Sequence, residues 1–247
     1  MKFSLQSYRL SDVDRTISAD ERMITPETSV DTYMYIGKST IDILQSLYLM
    51  SGIRDLPETI LDFGCGHGRI ARHLRAWAPE SVVFAADIRS DGIAFCSEQL
   101  GCKPVQPTPE FGEAKLPEKI QLTWVGSVFT HVDRLRMTKL FDWLWQSVAK
   151  GGHLVITTHG EYAKGLAERG EKAFITPEKW GKIVSDYQNL GTGYQSYDRA
   201  DLGDWGLSLS STEDVMSLAR DKADARLVMF VSGGWAKLQD VFVWQKL

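Results

Sequence analysis

Two acids, a run of alternating glycines and two histidines carry the chemistry of this chain. In Thr59–Arg69, TILDFGCGHGR, Asp62 closes an apolar run, Ile60 and Leu61, and Gly64, Gly66 and Gly68 alternate with Cys65 and His67. Glycine lacks a Cβ, so such a turn lets the backbone approach a ligand closely. Asp87 lies about 20 residues beyond, where an acid hydrogen-bonds ribose hydroxyls in nucleotide-binding folds. A carboxylate suits a diol because it only accepts and can take both hydroxyls. His131 and His159 follow two later apolar runs, and imidazole is the side chain that exchanges protons near neutral pH.

Strands and helices must hold these groups in place. Ile60–Leu61 reads as a buried strand, and RIARHLRAW as a helix with Ile70, Leu74 and Trp77 on one face and Arg69, Arg72 and Arg75 on the other. Strand, glycine turn and helix form the opening unit of a nucleotide-binding α/β sheet. Val82–Phe84 makes a second strand that Asp87 ends, and Ser90 and Asp91 stand ready to cap the next helix, which leaves Asp87 to a ligand. IAFCSEQL is that helix, ended by Gly101, and a short third strand surrounds Val105 among Pro104, Pro107 and Pro109. Ile120, Leu122 and Trp124 alternate in a central strand that ends at Gly126 and Ser127. The run after it reads as a helix with Leu135, Leu140, Leu144 and Val148 inward and Gly151 as stop, and HLVITTHG as a fifth strand ending at His159.

Outside that alternation, residues 11–33 are polar, punctuated by Pro26, and read as an irregular arm rather than a core element. A helix with Ile36, Ile43, Leu44 and Leu47 in register follows, and Gly52 stops it. Residues 161–206 hold an amphipathic piece with Thr176 as N-cap and Pro177 as first helical residue, then Tyr187, Tyr194, Tyr197 and Trp205 among glycines and acids. Aromatics interspersed with polar groups suit sugars or amphipathic small molecules, and a dimer surface is the competing reading. STEDVMSLAR opens with a capping box, Ser211 with Asp214 or Ser210 with Glu213, and two β-rich runs joined by SGGWAKL form an antiparallel hairpin with Trp235 in its loop.

The spacing of the first motif is informative. A dinucleotide fingerprint is G-x-G-x-x-G. Here Arg69 occupies the last position and the third glycine falls one residue early. This G-x-G-x-G after an acid resembles the first motif of the class I methyltransferases that use S-adenosylmethionine (SAM). The run Ser127 to His131, Ser-Val-Phe-Thr-His, is similar to a motif after the fourth strand in the same superfamily. The resemblance covers roughly residues 55–247. It implies a doubly wound, seven-stranded, mostly parallel sheet with an antiparallel last strand, plus an N-terminal cap and a lid before the last helix. On that reading 1–54 are arm and cap helix, 55–160 the core, 161–206 the insertion, and 207–247 the last helix and hairpin.

The resemblance also implies SAM as cofactor. Asp62 would organise its amino group and Asp87 its ribose, with Gly64, Cys65, Gly66, Gly68, Ile88, Gly126 and Ser127 lining the site. The N-terminus of the helix after the glycines would favour the methionyl carboxylate. The sequence departs from the family at the adenine, where no acid stands and Gln106 and Thr108 remain, and at Gln121, where many members have an acid. Helices before the first strand often close over the cofactor in this superfamily, so Tyr33 or Tyr35 contacts cofactor or acceptor, or packs on the sheet edge. Tyr194, Trp235, His131 and His159 complete the substrate side. Methyl transfer to a hydroxyl gains from a general base, and His159, then His131, is the expected one. The acceptor is expected to be a hydroxyl or amine of a small molecule or glycan. A catalytically silent SAM-binding scaffold and a nucleotide-dependent oxidoreductase are the alternatives.

Composition bounds these readings. The 247 residues suffice for one large α/β domain, at 43% hydrophobic and 24% charged. A net charge of −4 and a pI near 5.8 argue against general nucleic-acid affinity, which needs clustered Lys and Arg. Cys65, Cys96 and Cys102 show no disulfide framework, so a reducing, cytoplasmic setting is expected, with no secretory signal and no membrane partner. No metal-ligand cluster is apparent, and a monomer or homodimer is expected.

Overall fold

A computed structural model describes residues 8–25, 28–108, 116, 119–199 and 203–247; Pro26 and Pro109 lie outside them. The strands are β1 (Thr59–Phe63), β2 (Val82–Ala86), β3 (Lys103–Val105), β4 (Ile120–Val125), β5 (Val148–Thr158), β6 (Thr192–Ser196), β7 (Gly206–Ser210), β8 (Ala225–Trp235) and β9 (Gln239–Lys246). The helices are α1 (Val30–Met50), α2 (Ala71–Trp77), α3 (Ser90–Leu100), α4 (Arg134–Ser147), α5 (Glu161–Glu168), α6 (Pro177–Leu190) and α7 (Thr212–Ser217). Seven strands form one sheet in the order β3-β2-β1-β4-β5-β9-β8, and β6 and β7 form a separate pair. β9 runs antiparallel to both of its neighbours, and the other six strands run parallel. This is the expected sheet. Among the described residues no helix is long and apolar enough to cross a membrane.

The chain divides into two compact units, Met1–Trp124 with Ser147–Gly152, and Val125–Gln146 with His153–Leu247. In the first, β1 lies parallel to β2 with Asp62 opposite Ala85 and Phe63 opposite Ala86, which sets the two acid-bearing strand ends side by side. Ile60 and Leu61 are fully buried, as a strand covered on both faces requires. α1 starts earlier than the sequence pattern suggests, because Ser29 caps it by accepting from the Thr32 amide at 3.1 Å. Tyr33 and Tyr35 therefore lie within a helix, two positions apart, and face apart: Tyr33 is 0% exposed and Tyr35 46%. The arm is also more than a polar tail, since Val13 is buried against Tyr33 and Met34. On α2, Arg72 is buried rather than solvated.

Expectations about α4 and the last hairpin are corrected. Leu135 on α4 faces solvent, and Val148 opens β5 instead of closing the helix. Thr176 is the N-cap of α6 and Pro177 its first residue, as expected, with no side-chain cap bond. Trp235 is the last residue of β8, opposite Gln239 and 1% exposed, so it is not in the hairpin loop. β7 pairs with β6, and its Leu207 and Leu209 are buried with Ile183, packed against Phe174, Trp180 and Tyr187. Ser211 caps α7 by accepting from the Asp214 amide at 3.1 Å, the first of the two capping boxes considered.

Candidate active site

In the first unit the glycine turn and the end of β2 form one hydrogen-bonded structure. The amides of Gly64 and Cys65 donate to the Ala86 carbonyl at 2.7 and 3.1 Å. The Gly66 amide donates to Asp87 Oδ2 at 2.8 Å, and the Arg89 amide donates to Asp87 Oδ1 at 3.0 Å. Asp87 is therefore not left free by Ser90 and Asp91: each of its oxygens already holds a backbone N–H. A carboxylate has about four acceptor sites, so capacity for a diol remains. Ile88 and Asp87 present carbonyls to Gln106 Nε2 at 2.9 and 3.2 Å, which makes Gln106 a brace of this loop. Gln121 braces the base of β1 in a similar way, its Oε1 accepting from the Glu58 amide at 2.5 Å.

All three glycines of the turn have positive φ, +81° at Gly64, +49° at Gly66 and +79° at Gly68. They serve different ends. A Cβ on Gly66 would meet nothing within 4 Å, whereas one on Gly68 would fall 2.4 Å from Leu100 Cδ1. Gly66 leaves room, and Gly68 permits close packing with α3. Cys65 is buried, and its thiol is pushed well up by the Cys96 thiol beside it and by burial, so it is inert packing.

Asp62 is 1% exposed, and its Oδ2 has no hydrogen-bond partner among the described residues. Burial, then the Asp87 charge, push its carboxyl up to about 7, against Arg69 and the Ala71 amide. A buried carboxylate with an unused oxygen is complementary to a cationic or hydrogen-bond-donating ligand. The ammonium and ribose of SAM thus fit the donor set present: Asp62 for the cation, Asp87 for the diol, and the open face of Gly66 for close approach. α2 has only seven residues and no side-chain cap, so it offers less to a carboxylate than the sequence suggested.

Tyr33 belongs to the packing of this unit. Its hydroxyl donates to Glu21 Oε2 at 2.7 Å and lies 3.5 Å from the His67 carbonyl. With no exposed surface it presents nothing to an acceptor, and Tyr35 lies on the opposite face of α1.

In the second unit, β7 orients both histidines. The Gly206 amide donates to the His131 carbonyl at 3.0 Å, and His131 Nδ1 lies 2.9 Å from the Gly206 carbonyl. A carbonyl only accepts, so Nδ1 carries the proton and the neutral ring keeps a lone pair on Nε2. The Tyr197 hydroxyl lies 3.0 Å from the same Nδ1, and the rings of Tyr197 and Trp205 flank the imidazole at 5.9 and 6.0 Å. Burial holds the His131 pKa below the usual histidine value, opposed by the Gly206 carbonyl. His159 is more deeply buried, 6% exposed, against Phe174. Burial, then the charge of His131, push it down to about 3, while the Ser208 backbone opposes the shift.

Gly126 and Ser127 follow β4 in this unit. Ser127 has φ +60°, in the left-handed region that a residue with a side chain seldom occupies. Its amide donates to Thr157 Oγ1 at 2.9 Å, Thr157 donates to Gln239 Oε1 at 2.5 Å, and Gln239 Nε2 donates to Ser127 Oγ at 2.7 Å. This closed ring fixes Ser127. Sequence reasoning missed Gln239, one of two polar residues that open the last strand ahead of its apolar run 241–244. Tyr194 stands apart from the histidines' hydrogen bonds, with its hydroxyl donating to the Asp204 carbonyl.

Residues 40–206 match a protein family described as a methyltransferase domain. No curated protein matches by sequence. Among solved structures, the PH0226 protein from Pyrococcus horikoshii OT3 is similar at a TM-score of 0.58 and 15% identity, over 85% of this chain and 91% of that one. The magnesium protoporphyrin IX methyltransferase of Synechocystis PCC 6803, solved with S-adenosylhomocysteine (SAH), is similar at 0.56 and 14%, over 92% and 90%. The N-methyltransferase NodS from Bradyrhizobium japonicum WM9, also with SAH, is similar at 0.53 and 15%, over 85% and 87%.

Proposed function

From the premise that this chain belongs to the methyltransferase-domain family and is a SAM-dependent methyltransferase of the class I fold, we propose that its acceptor is a hydroxyl of a small molecule or glycan, with an amine as second choice. When bound, SAM supplies a methyl group on a sulfonium, a leaving group that needs no protonation. The chain's own task is then to hold the acceptor and remove its proton. The observation that carries the reading is His131, with Nδ1 committed to the Gly206 carbonyl and aromatic rings on its flanks.

A hydroxyl must lose its proton as it is methylated, and a positioned base contributes about 10²–10⁴ in rate. His131 is our base. His159, ranked first on sequence, is less suited because a group pushed down to about 3 accepts a proton poorly; we assign it to holding the cluster neutral. Tyr197 and Trp205 supply the flat apolar surface on which sugar rings or aromatic acceptors stack. Asp62, Asp87 and the turn from Gly64 to Gly68 serve the cofactor. Tyr33 and Trp235 are left to packing. Two of the three named neighbours, an N-methyltransferase and a porphyrin methyltransferase, differ in acceptor, so the fold alone does not choose one.

The test is transfer of labelled methyl from SAM to a panel of saccharides, phenols and amines. We expect a hydroxyl acceptor, and His131→Gln should lower kcat by about 10²–10⁴ while SAH binding stays within about twofold. Full turnover in that variant, or transfer to amines alone, would reject the hydroxyl reading.

A further inference from the structure

The least expected group outside the histidine cluster is Arg72. It is 1% exposed, yet forms no ion pair among the described residues. Its guanidinium instead holds four carbonyl oxygens. Nε donates to Gly68 at 2.8 Å and Nη2 to His67 at 3.1 Å, both in the glycine turn. Nη1 donates to Asp14 at 2.9 Å and Thr16 at 2.7 Å, both in the arm. A buried cation with no carboxylate in direct contact is costly to desolvate, and only well-placed acceptors and the Tyr33 ring, 5.5 Å away, offset that cost. Here the acceptors belong to two separate backbone segments, so one side chain ties the arm to the turn.

Other contacts agree. The Tyr8 hydroxyl lies 2.6 Å from His73 Nδ1, one residue past Arg72. Gln99 on α3 donates to Asp14 Oδ2 at 2.8 Å. The Glu21 carboxylate accepts from the Tyr33 hydroxyl at 2.7 Å, and that hydroxyl lies 3.5 Å from the His67 carbonyl. The arm is therefore pinned near its start, middle and end.

We propose that Arg72 is a positioning residue for the glycine turn, and that residues 8–25 form a strap whose seating and the cofactor-ready shape of the turn are a single event. His67 and Gly68 cannot keep their carbonyls toward Arg72 if the arm leaves, because the guanidinium would then face water and lose half its acceptors. Opening the strap loosens the turn, and filling the turn seats the strap. The inference rests on the assignment of this turn to the cofactor only for its affinity readout.

The experiment is hydrogen exchange of the full chain with and without SAH, beside SAH titration. In Arg72→Gln, amides of both 64–68 and 8–25 should exchange at least tenfold faster, with SAH affinity weakened about tenfold. Arg72→Lys should recover little, because an ammonium cannot span four carbonyls. The double variant Tyr8→Phe, Glu21→Gln loosens the strap at its ends while substituting no residue of α2 or the turn. It should still speed exchange at 64–68, and it decides the matter should Arg72→Gln fail to fold. A freely exchanging arm with turn exchange unchanged would overturn the coupling. Absence of SAH binding in the unaltered protein would instead reject the cofactor assignment of the turn, and the exchange data would still decide on the strap.

Discussion

Asp62 is an acid held where its charge is unwelcome until a cation arrives. Its folded pKa is raised from 3.8 to about 7, so the unliganded fold favours the protonated form. The sign follows by linkage: stability from this group is complete below its unfolded pKa and is lost as pH rises toward 7. A cationic ligand reverses the preference. SAM affinity should therefore rise with pH between about 6 and 8, with proton release seen as a buffer-dependent enthalpy in calorimetry. Asp62→Asn should abolish that dependence and weaken binding by about 1.5–3 kcal/mol, as for loss of a charged hydrogen bond. His131 bears on the rate instead: with a pKa held below the usual value, the acid limb of kcat/KM should fall below pH 6.5 and leave a plateau at neutrality. Ser127 offers a test in which stability and activity part. Relief of its φ of +60° in Ser127→Gly should stabilise the fold by about 1 kcal/mol in urea melts, while loss of the hydroxyl that Gln239 holds lowers turnover.

The helices meet through missing side chains. Gly37 lies within α1, and a Cβ there would fall 2.2 Å from the His73 ring and 2.5 Å from the Arg69 carbonyl. Helix propensity alone favours Gly37→Ala by up to about 1 kcal/mol. The clash is with backbone as well as ring, so we expect a net loss of about 1–3 kcal/mol, read as a lower urea midpoint. Such contacts mark the limit of what a sequence reveals. The strands, the glycine turn, the acid pair and the antiparallel end were legible because period, spacing and turn chemistry are local. Arg72, Gln239 and the role of β7 were not, because each acts on backbone or side chains far along the chain. Tyr33 shows the converse: its type suggested a binding role, but only its neighbours, Glu21 and the His67 carbonyl, reveal that its hydroxyl is already used. Leu135 misled because the apolar pattern of α4 was read one turn too far toward its start.

Across the whole chain, four of the five histidines have depressed pKa values: His73 and His159 pushed to about 3, His153 to about 4, and His131 lowered. Burial is the leading cause in each. Groups with depressed folded pKa values are neutral in the fold but take up protons in the unfolded chain once pH drops below 6.5. Stability should therefore fall from about pH 6.5 toward pH 4, with the histidines taking up about three to four protons on unfolding, offset by about the one that Asp62 gives up. Urea melts at a series of pH values measure that slope, and a flat profile would contradict the burial of these rings. The strand β7 has a consequence of another kind. Its amides at Gly206, Ser208 and Ser210 serve the carbonyls of His131, Thr130 and His159, while Gly206 to Ser210 pair with Ser196 to Thr192 on β6. Alternate residues of a strand point their backbone groups to opposite sides. One residue gained or lost between the two strands can shift β7 by one position and turn the wrong set of carbonyls toward both histidines together. A change of two restores the alternation. Length variation in the connection 197–205 should thus be tolerated by parity, with even insertions active and odd ones silent, a rule for how descendants of this chain can diverge without losing their chemistry.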